Sequence, residues 1–194
     1  MLKTYVKMNS DNNGESNECY TRYIEAKKLV DFLEEYNMKD KVIWCPFDNN
    51  NSNIVIALKE RGYNVINTHI KLGQDFLTFI PNFEWDIMIS NPPFSKRTRF
   101  FNKINSYNKP YIMLQPIMFF NNNSMIRDLI RGSNQYRFIF PNYRMGFIVK
   151  SGYGYTEKDK TTAFYSFWLC KDLFLDKNVF IGLKEIGEEK QQNE

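Results

Sequence analysis

The chain has 194 residues, of which 43% are hydrophobic and 16% aromatic, so it can bury one sizeable core but not two comfortable domains. The formal charge of +4 permits a polyanionic partner without demanding one. Three cysteines far apart in sequence and a single histidine argue against a zinc site or a disulfide framework. No stretch approaches the roughly 18 apolar residues needed to span a bilayer. We therefore expect a cytoplasmic protein with no membrane or metal partner.

The polar character of both ends predicts three segments. We expect a flexible N-terminal arm over residues 1–18, a single domain over residues 19–183 and a flexible tail over residues 184–194. Asparagine is abundant throughout, as an AT-rich coding sequence would produce, so the asparagine cluster at 49–51 is given little functional weight.

The first half of the domain predicts a strand, helix, strand unit. Apolar residues three and four positions apart predict a helix after Thr21, which is a plausible N-cap. The run KVIWCPF then predicts a buried strand. In SNIVIALKERGYNVINTHI, Asn51 or Ser52 caps a second helix, Gly62 ends it, and YNVINTHI forms the next strand.

The alternation continues through QDFLTFI, a strand in WDIMIS, a helix from Ser95, a strand in PYIMLQP and a helix in SMIRDLIRG. This order predicts an α/β protein with a Rossmann-like, mostly parallel sheet and helices on both faces. Two later strand-like runs, YRFIFPNYRMGFIV and TTAFYSFWLCKDLF, are separated by a polar loop, which predicts a C-terminal antiparallel hairpin.

The most informative motif is Asn91-Pro92-Pro93-Phe94, which directly follows an apolar strand. Two prolines stiffen the backbone and remove two amide donors, which leaves the Pro92 carbonyl with little freedom. Asn91 supplies a second acceptor and Phe94 a flat apolar face. Together they could hold a planar ring that carries an amino group and direct its lone pair at an electrophile.

The succession of CYT, WCPFD, GQDF, DIMISNPPF, FIFPNYRMGF and AFYSFWLC resembles the Dam-type DNA adenine-N6 methyltransferases of phages and mobile elements. The resemblance runs from about Cys19 to Cys170. It implies a methyltransferase fold, S-adenosylmethionine as cofactor, DNA as partner, and a catalytic role for Asn91, Pro92, Pro93 and Phe94 at the target adenine.

The same resemblance implies a cofactor pocket after the first strand and ahead of the first helix. The residues it assigns to cofactor binding are Cys19, Tyr20, Thr21, Pro46, Phe47, Asp48, Ser52, Asp75 and Phe76. Two features depart from the usual methyltransferase pattern. The loop CPFDNNNS contains no glycine, and the second strand ends on Asn67, Thr68 and His69 with no acidic residue for the ribose. A lone histidine at a strand end is more often a packing residue than a base.

A DNA adenine must leave the duplex stack before its amino group can be methylated, so cations should surround the motif to hold phosphates. Lys96, Arg97, Arg99 and Lys103 follow the motif directly, and Arg144, Lys158 and Lys160 lie in or near the later polar loop. No segment is long enough for a separate target-recognition domain, so we expect a short target sequence. A homodimer would enlarge the DNA footprint, and the sequence leaves it open.

Three alternatives stay open at this point. The acceptor could be RNA or a protein glutamine amide, although amide-modifying relatives usually have tyrosine where Phe94 stands. The glycine-free loop also fits a methyltransferase-like protein that has lost cofactor binding and serves as a DNA-binding or interaction module.

Overall fold

The computed structural model of the protein describes residues 19–94, 96–132, 135–149, 160–161, 164–173, 175 and 177–181. The predicted arm over 1–18, the tail over 184–194, Ser95 and Lys158 lie outside this part of the chain, as does the side chain of Lys160. The strands and helices follow in the order β1 (Cys19–Thr21), α1 (Tyr23–Glu34), β2 (Val42–Cys45), α2 (Asn53–Glu60), β3 (Asn64–Asn67), β4 (Ile87–Ser90), α3 (Arg97–Ser106), β5 (Tyr111–Pro116), α4 (Asn123–Arg131), β6 (Tyr136–Pro141), β7 (Gly146–Val149), β8 (Lys160–Thr161), β9 (Ser166–Lys171) and β10 (Val179–Ile181).

A seven-stranded sheet with the order β10-β6-β9-β5-β4-β2-β3 forms the centre of the molecule. Every neighbouring pair in it is parallel except those of β9, which runs antiparallel to both β5 and β6. A second sheet of β1, β7 and β8 is antiparallel. The predicted fold class, with its mostly parallel sheet and one antiparallel member from the C-terminal third, is confirmed.

Alternate residues of the central strands supply two separate cores, because successive side chains of a strand point to opposite faces. Ile43 and Cys45 of β2 pack with residues of α1 and α2 in one core. Trp44 of the same strand packs with Met88 and with residues of α3 and α4 in the other. The sheet is thus covered on both faces, as the unbroken apolar runs of its strands predict.

An aromatic cluster packs around Trp44 and includes residues of the segment that contains QDFLTFI, between β3 and β4. Between His69 and Ile87 the described chain forms only one 3-10 turn, at Ile70–Leu72. The side chain of Asp75 accepts the backbone N–H of Leu77 at 3.0 Å, which is a local turn. Phe76, Phe83 and Trp85 pack their rings against Trp44.

Two further expectations differ from the structure. Thr21 is not the N-cap of α1; Arg22 occupies that position, because Thr21 pairs with Phe147 as the last residue of β1. The two runs predicted to form the C-terminal hairpin do pair antiparallel, as β6 with β9, but these are not successive strands, because β7 and β8 lie between them. After Pro141 the chain turns away, and β7 pairs with β1 in the second sheet.

A buried carboxylate on α1 holds that turn in place. Glu25 is only 4% exposed. Its side chain accepts a hydrogen bond from the Tyr143 hydroxyl and another, at 3.1 Å, from the backbone N–H of Gly146. The Lys28 ammonium lies 3.6 Å from the centre of the Tyr143 ring. Since these bonds join α1 to the start of β7, they fix the second sheet against the first. Among the described residues, no helix has the length and apolar character needed to cross a membrane.

We expect Glu25→Ala to lower the free energy of unfolding by about 2 kcal/mol, because it leaves the Tyr143 hydroxyl and the Gly146 N–H without their acceptor in a buried place. Urea unfolding followed by circular dichroism measures the change. Glu35→Ala is the matched control, since Glu35 is exposed at the end of the same helix and should change stability by no more than about 0.5 kcal/mol. Equal losses in the two variants would contradict the role of Glu25.

Candidate active site

Strand β1, the segments that follow β2 and β3, the motif after β4 and Ile148 of β7 line a cavity of about 350 Å3. It opens at the carboxyl ends of β2 and β4, the edge at which ligands bind in open parallel sheets. The residues that line it are Cys19, Tyr20, Thr21, Phe47, Asp48, Asn49, Asn51, Ser52, Asn53, His69, Lys71, Asn91, Pro92, Pro93, Phe94 and Ile148. The loop after β2, the motif and β1, which lie far apart in the sequence, therefore meet at a single site.

The orientation of the Asn91 amide is fixed by β1. Its Nδ2 donates to the carbonyl of Cys19 at 2.7 Å and to the hydroxyl of Thr21 at 3.2 Å. A carbonyl can only accept, so the NH2 end of the amide must face β1 and the oxygen must lie on the other side. Asn91 Oδ1 accepts no hydrogen bond from any described residue. It is left as a preorganised acceptor at the wall of the cavity.

Asp48 joins the loop after β2 to the motif after β4. This carboxylate is 6% exposed and accepts hydrogen bonds from the hydroxyls of Ser52 and Ser90 and from the backbone N–H of Asn91. Burial raises its pKa to about 6, although the three hydrogen bonds act in the opposite direction. Ser90 Oγ also accepts the backbone N–H of Phe47 at 3.2 Å. One buried group thus sets the relative position of the two loops.

The rest of the motif lies at the outer end of the cavity. Pro92 is buried, while Pro93 and Phe94 are partly exposed. The ring of Phe94 meets the ring of Phe164 edge to face, with centroids 6.1 Å apart. The structure therefore presents a carbonyl, an amide oxygen and an aromatic face within four consecutive residues.

The glycine-free loop after β2 is shaped by side-chain hydrogen bonds. Asn49 Oδ1 accepts the backbone N–H of Asn51 at 2.8 Å, and Ser52 donates to Asp48. Asn67, at the end of β3, donates to the Asp48 carbonyl at 3.3 Å. Asparagine and serine side chains commonly make such local bonds in turns. They hold this loop in the tight path for which other chains use glycine.

Most of the predicted cofactor residues come together. Cys19, Tyr20, Thr21, Phe47, Asp48 and Ser52 line the cavity. Three others do not. Pro46 is buried behind the loop, with its carbonyl near the Thr68 hydroxyl. Asp75 holds its turn, and Phe76 is buried among the aromatic rings, 4.6 Å from the centre of Phe47. Phe76 therefore packs behind Phe47, which lines the cavity.

Sequence reasoning missed six residues of the lining, namely Asn49, Asn51, Asn53, His69, Lys71 and Ile148. Asn53 Nδ2 donates to the carbonyl of Thr21 at 2.9 Å, so it joins α2 to β1. His69 is buried and its Nδ1 accepts the backbone N–H of Lys71 at 3.1 Å. For all of them except Ile148, which lies on β7, the position after β2 or β3 was the available signal, and the abundance of asparagine obscured it.

The predicted DNA-binding cations have different surroundings. Lys96 and Arg99 are exposed beside the motif, and Arg144 is exposed near the end of β6. Arg97 is partly buried, and its Nε has no hydrogen-bond partner in the described part of the chain. Its guanidinium lies 6.0 Å from the Phe94 ring, and desolvation lowers its pKa. Lys103 instead donates to the carbonyls of Leu77 and Phe79, so it holds the irregular segment before β4.

Within the described residues, no group of three or more histidine, cysteine, aspartate or glutamate side chains could hold a metal ion.

Comparison with solved structures shows the same fold in a methyltransferase. The type I restriction-modification methyltransferase subunit of Streptococcus thermophilus matches with a TM-score of 0.56 at 15% identity, over 87% of this chain. The chain spans about half the length of that subunit, since the match covers 48% of it. At this identity the likeness establishes the fold. No protein-family model and no curated protein sequence matches the chain.

Two weaker matches are also methyltransferases by description. One is a putative class I S-adenosylmethionine-dependent methyltransferase of Listeria monocytogenes, with a TM-score of 0.48, 12% identity and coverage of 87% of this chain and 67% of that one. The other is a putative methyltransferase of Thermoplasma acidophilum, with a TM-score of 0.38, 13% identity and coverage of 81% and 67%.

The raised pKa of Asp48 predicts a specific pH dependence of stability. The native state binds the proton more tightly than the unfolded chain, whose carboxyl has a pKa near 3.8. The contribution of Asp48 to the free energy of unfolding is therefore largest below that value and falls as pH rises through about 6. Asp48→Asn should remove this decline, which is on the order of 3 kcal/mol.

Urea unfolding of the wild type and Asp48→Asn between acidic and neutral pH measures the difference. The variant should gain stability relative to the wild type as pH rises. Asp40→Asn, at an exposed position, is the control and should show no such trend. A constant difference between wild type and Asp48→Asn across this range would show that Asp48 titrates normally.

Proposed function

We propose that the protein transfers a methyl group from S-adenosylmethionine to N6 of an adenine in DNA. The observation that carries the proposal is the fixed Asn91 amide, because Asn91, Pro92 and Phe94 line a cavity shared with the loop after β2. This arrangement matches the resemblance of the motif to adenine-N6 methyltransferases.

The acceptor chemistry follows from the two oxygens. An exocyclic amine has two N–H bonds, and Asn91 Oδ1 and the Pro92 carbonyl can accept one each. Stacking on Phe94 holds the plane of the ring. The nitrogen lone pair then points out of that plane, so the residues orient the nucleophile and no strong base has to act first. The proton leaves late, to solvent.

The cavity also suits the cofactor by the chemistry of its lining. Amide and hydroxyl groups of Asn49, Asn51, Ser52 and Asn53 form one polar wall, while Phe47 and Ile148 are apolar. Such a wall fits a ligand with an amino acid end, a ribose and a purine ring. The bound cofactor would supply an electrophilic methyl group on a sulfonium. The side-chain bonds that shape the glycine-free loop favour retained cofactor binding over its loss.

The distribution of charge supports a polyanionic partner. Between residues 87 and 156 the sequence has ten lysine and arginine residues and one acidic residue, Asp128, a net charge of +9. The remaining residues hold 16 basic and 21 acidic side chains, a net charge of −5, which accounts for the total of +4. This basic segment contains the motif and the strands beside it, so phosphates would be attracted to the acceptor side of the site.

We expect Asn91→Ala to reduce methyl transfer by about 100-fold or more, because it removes a preorganised acceptor at the reacting nitrogen. Phe94→Ala should cause a comparable loss through lost stacking. Transfer of labelled methyl groups from S-adenosylmethionine to adenine-containing DNA measures both. Asn102→Ala is the matched control, since Asn102 is exposed on α3 and should retain full activity.

Full activity of Asn91→Ala or Phe94→Ala would refute the site assignment. Parallel reactions with RNA of the same sequence and with glutamine-containing peptides test the alternative acceptors. If either of them is methylated and DNA is not, that acceptor replaces DNA as the proposed substrate, and the role of Asn91 is unchanged.

Cofactor binding has a test of its own. Ile148→Trp should weaken binding of S-adenosylmethionine at least tenfold, because the larger side chain occupies the cavity wall. Calorimetry with the cofactor and its demethylated product measures the affinity. Ile130→Trp, at an exposed position of α4, is the control and should bind as the wild type does. No detectable binding by the wild type would favour the interaction module.

A further inference from the structure

A second aromatic group and a cation lie beside the motif without a role in the proposed reaction. Tyr165 is 50% exposed, and the Arg144 guanidinium lies 5.1 Å from the centre of its ring. Ile117, next to it, is 41% exposed although it is large and apolar. We call these three residues the outer platform.

The backbone of the outer platform is fixed at the same sheet edge as the motif. The N–H of Ile117, directly after β5, donates to the carbonyl of Tyr165, directly before β9, at 2.7 Å. Phe164 is the preceding residue, and its ring contacts Phe94. Consecutive residues lie only about 3.8 Å apart along the backbone, so the platform begins one residue from the ring that contacts the motif.

We propose that the outer platform holds the unpaired base next to the target adenine, so that the protein binds a single-stranded or opened DNA strand in preference to closed duplex. The proposal rests on the proposed function, since it takes the position of the target from Phe94. Tyr165 stacks on the neighbouring base, Ile117 packs against its edge, and Arg144 meets the adjoining phosphate.

The chemistry of the platform favours a nucleotide as its occupant. Every base has a π face that can stack on an exposed tyrosine ring, whatever its sequence. A guanidinium beside that ring both stabilises the stack and attracts phosphate. Ile117 and Arg144 of the platform also belong to the basic segment of residues 87–156, in which Asp128 is the one acidic residue. Charge complementarity therefore selects a polyanionic strand.

Both faces of a base inside a duplex are covered by the neighbouring bases of the stack. Tyr165 can therefore take part only after pairing around the target is disrupted, or where it is absent. This predicts that the platform contributes to binding of a single strand and contributes little to electrostatic attraction of an intact duplex.

Fluorescence anisotropy with a labelled single-stranded oligodeoxynucleotide and with the corresponding hairpin duplex tests the proposal on the full chain. Tyr165→Ala should weaken binding of the single strand about tenfold and binding of the duplex less than twofold. Tyr165→Phe should bind as the wild type does. Arg144→Ala should weaken single-strand binding and reduce its salt dependence. The controls are Tyr23→Ala, an exposed tyrosine on α1, and Arg131→Ala, an exposed arginine at the end of α4.

Wild-type affinity of Tyr165→Ala for the single strand, or an equal loss on both DNA forms, would overturn the proposal. If RNA of the same sequence binds more tightly, and its binding depends on Tyr165, RNA would replace DNA as the proposed occupant. Methyl transfer by the same variants to the same DNA forms separates the proposal on the outer platform from the proposed reaction. Activity of the wild type with no effect of Tyr165→Ala on binding overturns the platform alone. Tyr165-dependent binding without methyl transfer overturns the reaction alone.

Discussion

The buried carboxylate of Asp48 is the interaction on which the site depends. It accepts hydrogen bonds from Ser52, at the start of α2, and from Ser90 and the backbone of Asn91, at the end of β4. Asp48 and Ser90 are 42 residues apart in sequence. Without this group, the sheet alone would bring the loops to one edge but would not set the distance between them. The position of the motif relative to the cavity is therefore a consequence of one satisfied buried acid.

Asn91 depends on a second long-range contact, the one with β1. The short strand Cys19–Thr21 is held by pairing with β7, and β7 is in turn held by Glu25 of α1. The acceptor oxygen of the site is thus oriented through a chain of hydrogen bonds that starts on the helix after β1. The small second sheet therefore has a specific role beside the central one, because its strand β1 forms the part of the cavity wall that orients the Asn91 amide.

The inner strands of the central sheet were predictable, because the strands around Trp44, Met88 and Met113 are unbroken apolar runs between clear turn signals. The edge strand β10 was not predicted, since it has only three residues. The motif was also evident, since its two prolines and flanking acceptors are local. The second sheet was not, because β1 and β7 are short and pair across more than a hundred residues. Thr21 has the side chain of an N-cap, and only tertiary pairing makes it a strand residue. Lys103 looked like a phosphate contact, and only the fold shows that two backbone carbonyls already bind it.

Side-chain hydrogen bonds hold the loop after β2 in its path, and this distinguishes it from a glycine-rich turn. A glycine-built turn owes its shape to backbone freedom and contains no group that can gain or lose a proton. Here the same turn closes on a carboxyl group whose pKa burial raises to about 6. The charge at the centre of this turn is therefore set by the proton occupancy of one buried side chain. A glycine-rich turn has no titratable group and would lack this dependence on pH.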